Sequence, residues 1–291
     1  MRNPSRRFYD PLSRDYHLIY ADWNAAIESQ SRAIDKIIRA EIGAPPLDLL
    51  DCACGIGTQA IGLALRGYRV HATDLSVPAM RRARREARAR GARLTFARAD
   101  LRDLGDTVDA TFDIVICCDN SLAHMMTGRD FTRAARSMKA RLKPGGLLIA
   151  SIRDYDKIVR EHPALTPQAF FAKPGDVRIA FQHWNWHRDG RTYDQHLFIV
   201  RGSGDKWTLR HYGGISHAVL RSELSAYLRS AGLRKVRWLM PAKTGYHQPI
   251  VIARSPQSPP PFQGGGWGVV VRHGRRFSPA HPLRRRHCTL L

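Results

Sequence analysis

The sequence predicts an α/β fold: a mostly parallel, doubly wound sheet of seven strands, with an antiparallel β insert after the fifth strand. Five apolar strand patterns alternate with helical patterns between residues 47 and 152, which is typical of a parallel sheet with helices on both faces. Residues 178–217 instead carry strand patterns separated by the turn-like segments RDG and GSGD. A helix and two more strands close the fold near Arg254.

The parallel part is expected to begin with a buried strand, LDLLD (47–51), followed by a glycine-rich turn and a helix over 58–66. The second strand covers 68–74, and Ser76 is expected to cap a helix that Gly91 ends. The other three strands are RLTFARAD (93–100), FDIVICCDN (112–120) and LLIASI (147–152).

Asp130 is expected to open the helix that ends before KPGG at 143–146. The remaining predicted elements are insert strands at 177–187, 192–200 and 206–217, a helix at 222–231, and closing strands at 234–240 and 248–254. The chain is accordingly divided into an N-terminal cap (1–45), a cofactor-binding core (46–152), a substrate insert (153–220), a closing part (221–254) and a tail (255–291).

The large positive net charge is weaker evidence about function than its magnitude suggests. The formal net charge is +22, but 39 of the 47 basic residues are arginine, a bias that a GC-rich coding sequence also produces. The tail has six arginines, no acid and many Pro and Gly residues, so it is predicted to be disordered. No apolar run has the ~20 residues of a membrane span and no secretory leader is evident, so we expect a cytoplasmic protein.

The turn at 52–57 indicates the cofactor. Gly55, Gly57 and Ala60 fit the G-x-G-x-x-[GA] spacing of a dinucleotide loop. Asp51, however, ends the strand where a pyrophosphate would approach, and a carboxylate there repels phosphate but attracts an ammonium or sulfonium group. This favours S-adenosylmethionine over NAD.

Acids also end the next two strands. Asp74 is placed to accept from ribose hydroxyls, and Asp100, with Leu101 beside it, to accept from an adenine amino group. Each acid taken singly could instead be a helix cap or a turn residue. The three together form the stronger pattern.

From about Phe8 to Arg254 the chain resembles class I S-adenosylmethionine-dependent methyltransferases, and within them the glycine and sarcosine N-methyltransferase group. The segments that carry the resemblance are LLDCACGIGT, HATDLS, RADL, CDNSLAHM and LKPGGLLIASIRDYD. It implies a Rossmann-like fold, with Tyr20 closing over the cofactor. The residues that it implies for cofactor binding are Tyr20, Asp51, Ala53, Gly55, Gly57, Asp74, Leu75, Asp100, Leu101 and Asp119.

The resemblance also implies an acceptor site. Arg153 would grip a carboxylate of the acceptor, a bidentate task that suits a guanidinium, while Asn120 and His124 would line the methyl-transfer pocket. The implied substrate contacts are Tyr16, Arg153, Tyr155 and Tyr246. Ala53 replaces a common glycine, Asp154 replaces a usual Asn, and the N-terminal helix lacks a second matching arginine. These departures argue against glycine itself as the acceptor.

Methyl transfer is an in-line displacement, so the site must chiefly align the acceptor's lone pair and exclude water. A general base helps only if the acceptor arrives protonated. His124, His217 and His247 are the candidates, although each of them could instead be structural or exposed.

Four cysteines, at 52, 54, 117 and 118, end two strands that are expected to be neighbours. Zinc is considered and set aside, because residues at these spacings alternate across a sheet and do not converge on one ion. We therefore predict no metal.

Two other function classes stay open. The positive charge leaves an RNA methyltransferase as the enzyme alternative, and a non-catalytic nucleic-acid-binding module on the same fold as the other; neither is favoured over a small-molecule acceptor. A dehydrogenase is disfavoured by Asp51. The acceptor, the atom that is methylated and the oligomeric state are not determined by the sequence.

Overall fold

The central sheet of the protein, seen in a computed structural model that describes residues 4–173 and 175–257, has seven strands. Its strands are β1 (Asp48–Asp51), β2 (Arg69–Asp74), β3 (Leu94–Arg98), β4 (Phe112–Cys117), β5 (Leu142–Ser151), β10 (Arg234–Leu239) and β11 (Ile250–Arg254). Their order is β10-β11-β5-β4-β1-β2-β3, and β11 runs antiparallel to both of its neighbours. The predicted mostly parallel, seven-stranded, Rossmann-like sheet is confirmed.

A second sheet contains the insert strands in the order β6-β7-β8-β9, all antiparallel. They are β6 (Leu165–Lys173), β7 (Asp176–Trp186), β8 (Thr192–Ser203) and β9 (Lys206–His217). The sequence pattern does not predict β6. Pro167 breaks its strand pattern, and an edge strand is where a sheet tolerates proline.

Helices cover both faces of the central sheet, and two of them precede β1. The helices are α1 (Pro4–Leu12), α2 (Trp23–Glu41), α3 (Thr58–Leu65), α4 (Val77–Ala89), α5 (Gly128–Ala140), α6 (Tyr155–Glu161), α7 (Arg221–Ser230) and α8 (Pro241–Thr244). Short 3-10 helices occupy Tyr16–Ile19, Leu101–Asp106 and Ser121–His124. None of the helices within residues 4–257 combines the length and apolar character needed to cross a bilayer.

Two predicted helix starts are corrected. Thr127, not Asp130, caps α5, because its hydroxyl accepts a hydrogen bond from the Asp130 backbone N–H at 3.1 Å. The closing helix starts at Arg221, and the Glu223 carboxylate accepts from the Leu220 N–H. Ser76 caps α4 as predicted, since its hydroxyl accepts from the Ala79 N–H.

The fifth strand is longer than expected and includes the KPGG segment. Leu142 pairs with Phe112 of β4, and the pairing then shifts register before Leu147 pairs with Ile114. A register shift of this kind lets a strand absorb extra residues that a sequence pattern assigns to a turn.

The cysteines lie on both faces of the central sheet, and Cys52 and Cys54 follow the end of β1, so their separation comes from the turn and not from strand alternation. Cys52 and Cys117 belong to one buried cluster, with Leu50 and Val115, whereas Cys54 and Cys118 belong to the cluster on the other face. In the described part of the chain no group of three His, Cys, Asp or Glu side chains is arranged to hold a metal.

The predicted tail begins at Ser255, and from residue 258 onward it lies outside the described residues. The boundaries proposed for the cap, core, insert and closing part stay predictions.

Candidate active site

The site lies at the carboxyl ends of β1, β2 and β4, where the strand order reverses between β1 and β4. In open α/β sheets this switch point is the usual place for a ligand. The turn after β1 is fixed there by two backbone bonds: the Cys52 N–H donates to the Ile116 carbonyl and the Cys54 N–H to the Thr73 carbonyl.

The two glycines of the turn have different physical tasks. Gly55 has φ +53°, and its N–H donates to Asp74 Oδ2 at 2.7 Å, which ties the turn to the end of β2. Gly57 has φ +94° at the start of α3, and a Cβ there would lie 2.8 Å from Ile61 Cδ1. Both positions need the left-handed backbone that glycine adopts most easily, and Gly57 also needs the space.

A cavity opens beside this turn. Seven of the ten predicted cofactor residues line it: Ala53, Gly55, Asp74, Leu75, Asp100, Leu101 and Asp119. Gly57 shapes the turn without lining the cavity, Tyr20 lies on the neighbouring cavity, and Asp51 lies behind the wall.

Asp51 is a buried acid beside the turn, and one of its carboxylate oxygens lacks a hydrogen-bond partner among the described residues. It is 1% exposed, its Oδ1 accepts from the Ala53 N–H at 3.3 Å, and its Oδ2 has no hydrogen-bond partner among the described residues. Burial, with help from Asp74 and Asp119 nearby, raises its pKa to about 8. A buried acid of this kind fits the ammonium group of a bound methionine moiety.

Asp74 and Asp100 differ in how they are held. Asp74 accepts from the N–H groups of Gly55 (2.7 Å) and Ser76 (2.8 Å), and burial raises its pKa. Asp100 accepts from the Arg102 side chain at 3.0 and 2.7 Å; although burial alone would raise its pKa, these bonds lower it. Asp74 is thus held by backbone alone, whereas Asp100 is shared with an arginine.

A second cavity lies beside the first and reaches the insert sheet. The walls of the two cavities share Tyr9, Tyr16, Asp119 and His124, so the cavities meet at a junction formed by these four side chains. The other side chains of this acceptor cavity include Phe8, Leu12, Ile19, Tyr20, Asn120, Arg153, Asp154, Ile158, Gln182, Trp184, Gln195, Leu197 and His247.

Arg153 lies on the wall of the acceptor cavity and is held by neutral groups. Its guanidinium donates to Tyr193 Oη at 3.3 Å and Gln182 Oε1 at 3.2 Å, and it lies 4.9 Å from the centre of the Trp184 ring. No described carboxylate forms a salt bridge with it. Its charge is therefore available to an anionic group in the cavity.

Asn120 and the two remaining predicted substrate tyrosines are hydrogen-bonded to protein groups. Asn120 accepts from the Arg153 N–H and donates to Tyr155 Oη at 2.9 Å, so its amide is occupied although it lines the cavity. Tyr155 and Tyr246 are fully buried and line neither cavity. Their hydroxyls bond to protein groups, and their role as substrate contacts stays a prediction.

The three candidate bases are in different environments. His124 bonds to Tyr9 Oη (2.8 Å) and the Ile215 carbonyl (3.3 Å), and burial lowers its pKa to about 4. His217 packs edge-on against Phe131 and lines neither cavity. His247 lines the acceptor cavity and its Nε2 lies 2.9 Å from Asp119 Oδ1.

Four further residues at the site are not predicted from the sequence: Tyr9, Gln59, Gln182 and Tyr193. Gln59 donates to Asp119 Oδ2 at 3.1 Å, and Tyr9 reaches the junction from α1, 115 residues before its partner His124. Gln182 and Tyr193 alternate with outward residues on β7 and β8, and that alternation is the one signal that could have assigned them to the inner face.

Comparison with known proteins agrees with this geometry. A methyltransferase-domain family model matches residues 49–146. The glycine/sarcosine N-methyltransferase of Parasynechococcus marenigrum is 36% identical over 189 residues, which cover 62% of this chain and 66% of that protein; the Halorhodospira halochloris enzyme is 26% identical, covering 62% and 69%. The aligned region thus spans about two thirds of the length of these relatives.

Solved structures show the same fold. The S-adenosylmethionine-bound amino pentose methyltransferase of Micromonospora echinaspora has a TM-score of 0.65 at 19% identity, covering 85% of this chain and 98% of that one. A Clostridium acetobutylicum S-adenosylmethionine-dependent methyltransferase also has a TM-score of 0.65, at 17% identity, covering 78% and 91%.

The sheet order, the glycine turn with its acids and these matches together define the class: the chain is a class I S-adenosylmethionine-dependent methyltransferase. Within that class it is similar to the glycine/sarcosine N-methyltransferases.

Proposed function

We propose that this protein transfers a methyl group from S-adenosylmethionine to the nitrogen of a carboxylate-bearing amine, and that Arg153 positions the acceptor. The observation that carries the proposal is the guanidinium on the acceptor-cavity wall, which has only neutral side-chain partners. A partly buried cation costs free energy unless an anion compensates it. A substrate carboxylate would supply that anion, with two parallel hydrogen bonds.

The arrangement of the cavities supports small-molecule transfer. Bound S-adenosylmethionine would supply an electrophilic methyl group on a positively charged sulfur. Asp51 would hold its ammonium group and Asp74 its ribose, which would place that methyl group toward the junction at Tyr9, Tyr16 and His124. Arg153, on the wall of the acceptor cavity, would hold the carboxylate and leave the acceptor nitrogen free to face the junction. Alignment of this kind supplies most of what a displacement needs.

The cavity walls favour an acceptor larger than glycine. Phe8, Leu12, Ile19 and Leu197 belong to one apolar cluster and give the cavity an apolar side, while Arg153 and Asp119 supply charged groups. A short apolar substituent on the amino acid would bury against this side at about 25 cal/mol per Å².

The observation that speaks against an RNA acceptor is the position of Arg153 itself. It is packed between Trp184, Gln182 and Tyr193, whereas phosphate-binding arginines lie along open grooves. Nitrogen as the methylated atom is proposed from the similarity to N-methyltransferases.

The test is a methyl-transfer assay with glycine, sarcosine, β-alanine, leucine and phenylalanine, each beside its carboxamide. We expect turnover of at least one amino acid, and a KM about 10- to 100-fold higher for the carboxamide, the size of a charge-assisted hydrogen-bond pair. In Arg153→Gln the two KM values should become similar, while S-adenosylhomocysteine still binds. Arg160→Gln, on the exposed side of α6, is the matched control.

Equal use of acid and carboxamide by the unaltered protein would refute the role of Arg153. Transfer to RNA oligonucleotides but to none of the amines would favour the alternative acceptor class.

A further inference from the structure

The acceptor cavity contains a carboxylate–imidazole pair that the proposed function does not yet use. Asp119 follows β4, His247 lies in the loop before β11, and their Oδ1 and Nε2 atoms are 2.9 Å apart. Both residues line the acceptor cavity, and Asp119 also lines the cofactor cavity. We propose that Asp119 and His247 form a general-base dyad that takes a proton from the acceptor nitrogen before methyl transfer. This inference rests on the proposed function.

The two halves of the dyad are held together by the fold. The Asp119 backbone N–H donates to Ser151 Oγ at 2.9 Å, and that hydroxyl donates to Gln248 Oε1 at 2.9 Å. Ser151 is fully buried at the end of β5, between the two loops. One serine thus fixes the loop of Asp119 against the loop of His247, which gives the pair a preset geometry.

Asp119 is equipped to stay ionised. Burial alone would raise its pKa, but the charge and hydrogen bond of His247 and the bonds from Tyr20 and Gln59 lower it. Tyr20 Oη donates to Oδ2 at 2.9 Å, Gln59 Nε2 donates to Oδ2 at 3.1 Å, and Tyr246 Oη donates to Oδ1 at 3.3 Å. Every one of these partners donates, which is the pattern that holds a carboxylate as an acceptor.

This carboxylate fixes the tautomer of His247. His247 Nε2 lies 2.9 Å from Asp119 Oδ1, and a proton on Nε2 is the one that this carboxylate favours. The lone pair of the neutral imidazole is then on Nδ1, and no described residue donates to that atom. A carboxylate that orients an imidazole and stabilises its protonated form is the support that a histidine base requires. The His247 side chain is 47% exposed, so solvent can take the proton away afterwards.

The other two histidines considered from the sequence lack these features. His124 has both ring nitrogens bonded within the protein and a lowered pKa, and His217 lines neither cavity. The other charged or titratable groups lining the acceptor cavity are Tyr9, Tyr16, Tyr20, Arg153 and Asp154.

An acceptor ammonium gives one proton to His247 Nδ1, which leaves a neutral amine and an imidazolium paired with Asp119. The amine lone pair forms the new nitrogen–carbon bond while the carbon–sulfur bond breaks, and that electron pair stays on sulfur. The imidazolium then releases its proton to water. No oxidant, reductant or metal is required.

The test is His247→Gln in the full chain, assayed with the amino acid that the unaltered protein methylates fastest. We expect kcat at pH 7 to fall about 100-fold, the lower end for general-base catalysis, with the acceptor KM and S-adenosylhomocysteine affinity within twofold. The loss should shrink above pH 9, where solution supplies the free amine. In His247→Ala, added imidazole should restore activity, since the position is open to solvent.

His187→Gln is the matched control. His187 forms a similar pair with Asp194 (3.1 Å, 40% exposed) but lines neither of the two cavities, so its loss should leave the pH profile unchanged.

Two failures are distinguishable. If His247→Gln keeps the unaltered protein's kcat and pH profile, the dyad is overturned while the proposed function stands. If the unaltered protein binds S-adenosylhomocysteine but methylates no amine, the proposed function and the dyad are overturned together.

Discussion

The cofactor cavity and the acceptor cavity are built in opposite ways. Most of the cofactor wall comes from short segments at the ends of consecutive strands, such as 52–59 and 99–102, and backbone bonds hold its key acid, Asp74. The acceptor wall gathers side chains from α1, the loop after β4, the insert sheet and the loop before β11. The cofactor cavity is formed by short segments that the strand ends of this fold position directly. The acceptor cavity depends on how elements far apart in the sequence pack together.

This difference predicts that substitutions at the cofactor cavity will change binding of S-adenosylhomocysteine without depending on the insert, whereas substitutions in the insert will change only acceptor kinetics.

The largest expected effect is on Asp74. Asp74→Ala removes two charge-assisted acceptors from the turn and the ribose position, so S-adenosylhomocysteine affinity should fall about 100-fold, roughly 3 kcal/mol. Calorimetric titration measures this, with Asp103→Ala, an acid paired to Arg133 outside the cavity, as control. Unchanged affinity in Asp74→Ala would show that the acid serves only the turn.

Asp51 should make cofactor binding depend on pH. Its folded-state pKa of about 8 lies above its unfolded value, so the ligand-free native state binds more protons than the unfolded one, and stability falls as pH rises from about 4 to 8. A ligand ammonium needs the ionised form. Affinity for S-adenosylhomocysteine should therefore rise roughly tenfold from pH 6 to 7, with close to one proton released at pH 7.

Titration in buffers of different ionisation enthalpy counts that proton. Asp51→Asn should release none, and its affinity should become flat over the same pH range. Proton release that persists in this variant would assign the titration to another group.

Gly57, in the turn of the cofactor cavity, can be compared with Gly91, which ends α4, because the two glycines share a left-handed backbone but differ in the space around them. Both have positive φ, but a Cβ at Gly57 meets Ile61 at 2.8 Å, whereas at Gly91 nothing lies within 4 Å. Gly91→Ala should cost about 1 kcal/mol from the left-handed backbone alone, and Gly57→Ala about 2–3 kcal/mol because the clash adds to it. Urea unfolding of both variants gives the difference, and equal losses would mean that α3 yields to the methyl group.

The smallest effect belongs to the insert. Tyr193→Phe removes the hydroxyl that accepts from Arg153, so the acceptor KM should rise about fivefold, roughly 1 kcal/mol, while S-adenosylhomocysteine affinity stays constant. Steady-state kinetics with the preferred amino acid measure it. Tyr68→Phe, whose hydroxyl bonds Asp35 at 2.7 Å, is the control and should change stability but not KM. An effect of Tyr193→Phe on cofactor binding would break the separation between the two regions.

The difference between the two cavities also explains which features could be predicted from the sequence. The glycine turn, Asp74 and the alternating strands were readable because each depends on neighbours within a few positions. Tyr155 and Tyr246 were predicted as substrate contacts from the family resemblance. In the structure, Tyr155 Oη accepts a hydrogen bond from Asn120 and Tyr246 Oη accepts one from Gln59. The edge strand β6 was missed because Pro167 hides its pattern.

The sequence by itself determined the class of fold and the cofactor chemistry, because hydrophobic period, glycine conformation and the charge at strand ends act over a few residues. Only the tertiary structure decided that Arg153 has no acidic partner among the described residues, that His247 meets Asp119 across 128 positions, and that His124 is held by Tyr9. The physical reason is that the burial and the bonding partners of a side chain depend on which segments pack together. The spacing of residues along the chain does not show which distant segments become neighbours in space.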